Sequence, residues 1–402
     1  MTHTLVSQST GAADAHQKLL AAAKEMKPRL MERAQRADAE RRVPDETINE
    51  MVESGFFKFL IPKRFGGDGG GVIGQIEIAA ELARGCPSTA WVYTLVGDVT
   101  GFAGAFLPRE GADTVYASHP NTLVCGVAAF NGTAKKSPGG YRVTGSWGFA
   151  SGCLYSHWFM GGTVVLDDTG QVTDQIMAFM PMEQLKIKDT WHVMGMCGTG
   201  SNTIVADDLF VPEAQVFSLP ERLAREQEFD ADADPADRMP IAPLFSIGLM
   251  GPTLGAAQEL HAMVSEKAHT RNISYFDFPT QADSAVAVAT LGETGMMIDT
   301  AKLHVARGAA DLEMTTAHHV LDRVTRARCR ADAGHASENL RRAADMLMSI
   351  GGAGGFATAS RNQQFYRDIQ VGSRHAFVNS RPLYEAYGRE AMGLSPNITS
   401  YI

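Results

Sequence analysis

The segment WHVMGMCGTGSNTIVADDLFVPE, residues 191–213, determines how the rest of the sequence is interpreted. Its first half is rich in glycine, serine and threonine, and its second half has the β-branched and aromatic composition of a strand. Glycine lets a backbone approach a flat ring or a phosphate closely, and hydroxyl groups donate hydrogen bonds to ring nitrogens and carbonyls. Taken alone, such a cluster is more often a turn than a ligand site.

Two further clusters of small residues accompany this segment. One is GSWGFASGC (145–153), and the other is SIGGAGGF (349–356), which is soon followed by FYRD (365–368) and GSRHAF (372–377). The clusters occur first among predicted strands and then among predicted helices. Their joint order is much more specific than any one of them.

The chain changes from a helical to a strand-like pattern and back again. Apolar residues at three-to-four spacing predict helices from Ala12 to Leu107. One helix is predicted to restart at Val43-Pro44-Asp45, with the proline in its first turn, and to end at Gly55. Short β-branched and aromatic segments then predict strands at 141–149, 157–166, 173–181 and 202–212. Ala-rich and Met-rich stretches at 242–269, 283–314 and 331–348 predict a helix bundle.

This pattern predicts a mainly α fold with a central β-domain. We divide it into an N-terminal α-helical domain (1–115), a middle β-domain (116–227), an acidic linker (228–239) and a C-terminal helix bundle (240–402). A calcium-binding reading of the acidic stretch is disfavoured, because its spacing lacks the glycine and closing glutamate of a calcium loop.

Composition narrows the classes of function. The chain of 402 residues is 45% hydrophobic and 20% charged, and its net charge of −9 without a basic stripe argues against a nucleic-acid partner. We see no secretory signal, and the weakly charged stretch Ser88–Leu107 predicts a buried helix instead of a membrane span, because it contains Asp98 and glycines. Five dispersed cysteines indicate reduced thiols and a cytoplasmic location.

Several familiar motifs are missing from the sequence. There is no GxGxxG after a strand, no Walker loop, no HExxH, no CxxC and no Gly-x-Ser-x-Gly elbow. His318 and His319 are adjacent, so on a helix they point in different directions and do not predict a metal site. Ordinary nucleotide folds, hydrolases and metal chemistry therefore lose their main support.

The order W-x-x-x-G-x-x-x-T-G-S, a strand ending V-P-E, then G-G-x-G and Y-R-D resembles the acyl-CoA dehydrogenase superfamily. The similarity extends to RRVPDETINEMVESGFFKFLIPKRFGG (41–67), which resembles that family's amino-terminal helix pair, and it covers nearly the whole chain. The resemblance implies N-terminal helices, a middle β-barrel-like domain and a C-terminal four-helix bundle. It also implies a flavin between the middle and last domains, and a homotetramer.

Two departures separate the chain from the dehydrogenases of that superfamily. The position that commonly carries their catalytic glutamate is Ala376, and alanine cannot accept a proton. The T-E-P-x-x-G-S loop expected before the middle strands is replaced by CGVAAFNGTA (125–134). An acyl-CoA dehydrogenase with a displaced base and a non-catalytic scaffold of the same fold remain the alternatives.

The chain instead resembles the flavin-dependent oxygenases of the superfamily, such as 4-hydroxyphenylacetate hydroxylase. The shared segments include STAW (88–91), FASGC (149–153), RDIQVGSRHAF (367–377) and the tail GREAMGLSPNITSYI (388–402). This branch implies that a separate NAD(P)H:flavin reductase supplies FADH2 or FMNH2, that O2 is the co-substrate, and that a C4a-hydroperoxide hydroxylates a small aromatic substrate.

The resemblance also assigns roles to residues. Ser151 would lie near flavin N5 and stabilise the peroxyflavin, and His375 would act as a proton donor or orient the substrate. Without the resemblance, the sequence favours a turn serine at Ser151 and a capped or core histidine at His375 over functional roles. The resemblance and the clusters together assign flavin contacts to Trp91, Phe149, Ala150, Ser151, Thr199, Ser201, Arg271, Gly351 and Gly352.

The expected substrate pocket contains Val99, Cys125, His375 and Phe377. Val99 stands where the phenol hydroxylases carry a histidine that binds the substrate hydroxyl, and Cys125 stands where they carry a serine. A buried hydroxyl without a partner costs roughly 1–3 kcal/mol, so both replacements disfavour a phenolic acid. We therefore expect a more apolar, electron-rich ring such as an indole.

Overall fold

The computed structural model describes residues 10–226, 238–317 and 319–402. Most of the predicted acidic linker (228–239) lies outside the described residues, as does His318.

Among the described residues five α-helices precede the sheet, and their bounds follow simple local signals. They are α1 (Thr10–Glu40), α2 (Asp45–Ser54), α3 (Val72–Ala83), α4 (Pro87–Phe106) and α5 (Arg109–Ala117). Pro44 is the N-cap of α2 and not part of its first turn, and Gly55 ends the helix in the left-handed conformation, with φ of 90°.

Helix α4 is buried along almost its whole length. A helix that is apolar on all sides belongs in a protein core, which agrees with the prediction made for this stretch. Among the described residues, no helix is long and apolar enough to cross a membrane.

A seven-stranded sheet forms the centre of the described part of the chain. Its strands are β1 (Val124–Ser137), β2 (Gly140–Ala150), β3 (Trp158–Leu166), β4 (Val172–Pro181), β5 (Lys186–Lys188), β6 (Asn202–Pro212) and β7 (Val216–Ser218). They lie in the order β5-β6-β2-β1-β3-β4-β7, with β1 and β3 parallel and every other pair antiparallel. The four predicted strands are confirmed as β2, β3, β4 and β6.

Trp147 shows why this sheet contains so many glycines. Its ring is fully buried and its Nε1 donates to the Gly162 carbonyl oxygen at 2.8 Å. A Cβ at Gly132 or Gly145 would overlap the ring. The small residues of β1 and β2 therefore make room for one large aromatic side chain.

Helices return after the sheet. They are α6 (Leu219–Arg225), α7 (Ile241–Gly248), α8 (Met250–Ala268), α9 (Ala285–Ala317), α10 (Arg323–Gly351), α11 (Arg361–Gly372) and α12 (Ser380–Ala391). The predicted helix at 242–269 is divided into α7 and α8 around Leu249.

Helices α8, α9, α10 and α11 pack against one another as a bundle, α12 packs on α10, and α3 packs on α8. The predicted fold class, mainly α with a central β-domain, is confirmed. The exact limits of its domains stay predictions. The N-terminal helices, the sheet and the bundle meet around α4 and α11, and that meeting point positions the candidate site.

Candidate active site

A cavity of about 470 Å³ opens between α4, the end of β2, the 191–201 segment and α11. Its walls are mostly aromatic and apolar, with a few hydroxyl, amide and cationic groups. The lining residues are Trp91, Phe149, Ser151, Trp191, Met194, Met196, Ser201, Tyr366, Gln370, Val371, Gly372, Arg374 and His375. An apolar cavity with few, convergent polar groups is the usual form of a small-molecule site.

Four predicted residues form one hydrogen-bonded row at the base of this cavity. Trp91 Nε1 donates to Ser151 Oγ at 3.3 Å, and Ser151 Oγ lies 2.7 Å from Ser201 Oγ. Ser201 Oγ lies 2.6 Å from Thr199 Oγ1, which donates to the Met196 carbonyl oxygen at 2.8 Å. All four side chains are buried, so tertiary structure brings together residues from three separate segments.

Backbone geometry at the end of β2 explains how Ser151 reaches this row. The register with β6 shifts between Trp147 and Ala150, and Phe149 adopts a positive φ of 65°. The Gly152 N–H then donates to the Thr199 carbonyl oxygen at 3.1 Å. The irregular strand end is therefore tied directly to the 191–201 segment.

Helix α11 holds the same segment from the other side. The Asp368 carboxylate accepts the backbone N–H of Met196, and Arg367 donates both to the Met194 carbonyl oxygen and to Asp38 Oδ2, the latter at 2.9 Å. Gly195 permits this approach, because a Cβ there would collide with the Arg367 carbonyl. Burial raises the pKa of Asp368 to about 7.

His375 lies just beyond the end of α11, on the cavity wall. Its ring meets Trp91 edge-on at 5.7 Å between centroids and stacks on Phe377 at 5.8 Å. Burial lowers the pKa of His375 to about 4, so the imidazole is neutral at neutral pH. Nδ1 accepts the Phe377 N–H at 3.3 Å, which leaves Nε2–H as the ring's donor.

Large apolar side chains are exposed at this cavity. Phe149 is 73% and Met194 60% exposed, and Phe149 meets Trp191 edge-on at 5.6 Å between ring centroids. A flat ligand over these side chains would remove their apolar surface from water. Together with the hydroxyl row, these walls fit a flat ring system with a hydrogen-bonding edge, as in the isoalloxazine of a flavin.

Five of the predicted flavin contacts are not among the residues that line this cavity: Ala150, Thr199, Arg271, Gly351 and Gly352. Ala150 and Thr199 are fully buried, and the other three form a separate group. Arg271 donates to the Gly351 carbonyl oxygen and lies against Gly352, whose φ is 57°. Position 352 favours glycine for two reasons. The positive φ is rare for other residues, and a Cβ there would lie 3.1 Å from the Arg271 guanidinium. The structure thus separates the candidate flavin residues into two groups.

The predicted substrate residues also separate. Val99 and Cys125 are fully buried in the apolar packing, and the Cys125 thiol contacts the Trp158 carbonyl oxygen. Phe377 stacks between His375 and Phe245, 5.0 Å from the latter. Of the four predicted substrate residues, only His375 is among the residues that line the cavity.

Sequence reasoning missed several residues of this site. Trp191, Met194 and Met196 lie in the cluster that was singled out, but their side chains were not assigned a role. Asp368 was used only as part of the Tyr-Arg-Asp motif. Gln370, Val371 and Arg374 lie in the shared segment RDIQVGSRHAF, but their side chains were assigned no role, because only the course of the chain along and just beyond α11 brings them to the cavity.

Comparison with known proteins agrees with this geometry. Residues 13–105 match the family model "Acyl-CoA dehydrogenase, N-terminal domain" and residues 247–380 match "Acyl-CoA dehydrogenase, C-terminal domain". The chain is 30% identical over 386 residues to the flavin-dependent monooxygenase oxygenase subunit HsaA of Mycobacterium tuberculosis (strain CDC 1551 / Oshkosh), covering 95% of this chain and 97% of the relative.

Two further relatives are also linked to a flavin by their names. The FADH(2)-dependent resorcinol hydroxylase oxygenase component of Rhizobium sp. (strain MTP-10005) is 29% identical, with 90% of this chain and 91% of the relative covered. The solved structure of XiaF from Streptomyces sp. in complex with FADH2 and glycerol is 33% identical, has a TM-score of 0.93, and is matched over 97% of this chain and 98% of that one. The chain therefore belongs to the acyl-CoA dehydrogenase superfamily, in the branch of flavin-dependent monooxygenase oxygenase components.

Proposed function

We propose that this chain is the oxygenase component of a two-component flavin monooxygenase. It would take FADH2 or FMNH2 from a separate NAD(P)H:flavin reductase and use O2 to hydroxylate an aromatic or heteroaromatic substrate. The observation that carries the proposal is the apolar cavity in which a buried hydroxyl row faces a neutral histidine. The FADH(2)-dependent resorcinol hydroxylase and the FADH2 complex of XiaF support this choice of cofactor.

The chain's own residues would hold the flavin and exclude water. Trp91, Ser151 and Ser201 would contact its polar edge, while Phe149 and Met194 would cover its apolar end. When bound, the reduced flavin would supply the chemistry that activates O2, for which the resemblance implies a C4a-hydroperoxide. The apolar walls, once covered by the flavin, would limit loss of hydrogen peroxide to solvent.

His375 would orient the substrate instead of acting as an acid. With a pKa of about 4, the ring carries no extra proton at neutral pH. Its remaining Nε2–H is a hydrogen-bond donor, while Trp91 and Phe377 fix the plane of the ring. We therefore favour the orienting role among the two predicted from the sequence.

An apolar heteroaromatic such as indole remains our proposed substrate. The walls of the cavity are mostly aromatic and apolar, which suits an apolar ring. Val99 and Cys125, at the two positions where the phenol hydroxylases carry polar side chains, are fully buried. The indole-3-acetate monooxygenase of Acinetobacter baumannii is 25% identical over 370 residues, so one relative is named for the oxidation of an indole derivative.

The dehydrogenase alternative is less well supported. Its chemistry requires a carboxylate near the flavin to remove a proton, yet the cavity lining among the described residues includes no Asp or Glu. Ala376, at the usual position of the base, is exposed on the 3₁₀ turn Ala376–Val378.

We also propose a homotetramer, supported by an apolar stripe on α9. Met296, Leu303 and Met314 are 65%, 71% and 40% exposed. Their spacings of 7 and 11 residues place them on one face of the helix. Such a stripe is typical of a helix that packs on another subunit.

Anaerobic titration with reduced flavin, followed by rapid mixing with O2, tests the proposed function. We expect saturable binding, a transient flavin–oxygen absorbance, and product with indole in excess of product with 4-hydroxyphenylacetate. Preference for the phenol would overturn the substrate proposal. Absence of flavin binding would favour the non-catalytic scaffold, and electron transfer from an acyl-CoA to a dye would favour the dehydrogenase.

A further inference from the structure

The hydroxyl row at the base of the cavity has a donor-only group at one end and an acceptor-only group at the other. The Trp91 indole N–H can only donate, and the Met196 carbonyl can only accept. Between them lie the hydroxyls of Ser151, Ser201 and Thr199, with one proton each. Three protons serve three hydrogen bonds, so the direction of each bond is determined.

The direction follows from the Met196 end. The Thr199 hydroxyl donates to the Met196 carbonyl, so its oxygen must accept the proton of Ser201. Ser201 has then used its proton, so its oxygen accepts the proton of Ser151. Each hydroxyl proton therefore points along the row towards the Met196 carbonyl, and none is left to donate into the cavity.

A ligand in the cavity would therefore face lone pairs on the Ser151 and Ser201 oxygens. An sp³ oxygen accepts two hydrogen bonds, and the Trp91 N–H occupies only one acceptor position on Ser151. A ligand group that donates a proton satisfies the second position. A ligand group that itself accepts would face an oxygen without a proton, so that contact would lack a hydrogen bond.

We infer that Thr199 is a positioning residue that makes this site select reduced over oxidised flavin, an inference that rests on the proposed function. N5 of a reduced isoalloxazine carries an N–H, whereas N5 of the oxidised ring is an acceptor. Thr199 is fully buried behind Ser201 and is not among the residues that line the cavity, so it acts through the row and not by touching the flavin.

Thr199→Val, with Thr199→Ser as the matched control, tests the inference by binding alone. Valine keeps the shape of the side chain but cannot accept from Ser201, so Ser201 and Ser151 become free to reverse their protons. Dissociation constants for oxidised and anaerobically reduced flavin would be measured by fluorescence titration. We expect the preference for reduced flavin to fall roughly tenfold in Thr199→Val, as one hydrogen bond would predict, and to be retained in Thr199→Ser.

The two-electron midpoint potential of the bound flavin provides a second readout. A tenfold loss of preference should lower it by about 30 mV. If Thr199→Val weakened the binding of oxidised and reduced flavin equally, the inference would be overturned, because that result indicates general damage to the site. Should Thr199→Val not fold, Ser201→Ala removes the acceptor for Ser151 and should reduce the preference likewise. Failure of the wild-type protein to bind either form of flavin would instead refute the proposed function.

Discussion

The side chain of Asp368 accepts a hydrogen bond from the backbone N–H of Met196, 172 residues away in sequence. The Met196 carbonyl, on the same residue, accepts from Trp191 Nε1 at 3.0 Å and from the Thr199 hydroxyl. Helix α11 thereby fixes the residue at which the hydroxyl row ends. The same helix leads directly to His375, so one element positions both polar sides of the cavity.

Asp368→Ala should be less stable than Asp368→Asn by about 1–3 kcal/mol, because alanine leaves the buried Met196 N–H without an acceptor. Asparagine keeps an oxygen at that position without a buried charge. The free energy of unfolding in urea, measured for both variants at one pH, provides the comparison. Equal stabilities would show that the hydrogen bond does not hold the segment.

His375→Ala should uncouple flavin oxidation from product formation, since the substrate would lose a hydrogen-bond donor on the cavity wall. The measurement is the ratio of hydrogen peroxide to product per NAD(P)H consumed with a flavin reductase. His375→Gln retains an N–H donor and should restore part of the coupling. Unchanged coupling in His375→Ala would remove this residue from the mechanism.

Asp98→Asn should become more stable relative to wild type as the pH rises from 5 to 7. Burial raises the pKa of Asp98 to about 7, against about 3.9 in an unfolded chain. Between these two pKa values the folded state binds more protons than the unfolded state. The free energy of unfolding of the wild type therefore falls as pH rises, by at most about 1.4 kcal/mol per pH unit. Asparagine lacks this dependence.

Urea denaturation at pH 5, 6 and 7 checks the Asp98 prediction. The side chain accepts from Gln75 Nε2 at 2.6 Å, and its Oδ2 has no hydrogen-bond partner among the described residues. Parallel pH curves for wild type and variant would contradict a neutral, buried carboxyl at this position.

Leu303→Glu should lower the mass of the assembly in solution. A carboxylate in the centre of the apolar stripe on α9 would be buried unpaired in a subunit contact. Light scattering after size-exclusion chromatography gives the mass directly. Val172→Glu is the matched control, because Val172 is also an exposed apolar residue but lies on β4, away from the stripe on α9. A wild-type monomer would refute the proposed tetramer.

Local patterns predicted most of the fold. The strand at 202–212 and the end of α2 at Gly55 agree with the structure, because β-branched composition and a left-handed glycine act over a few neighbouring residues. The break around Leu249 was missed, since an unbroken apolar stretch predicts one helix as readily as two.

The sequence by itself determined the order of helices and strands, the superfamily, and the membership of Ser151, Ser201 and His375 in one candidate site. Only the tertiary structure decided which groups are in contact. It set the direction of the hydroxyl row, the hydrogen bond from the Met196 N–H to Asp368, and the separation of Arg271 from the cavity. Periodicity and motifs report the local conformation of the chain. Hydrogen bonds between α4, β2, the 191–201 segment and α11 depend on packing between distant segments, which no local pattern records.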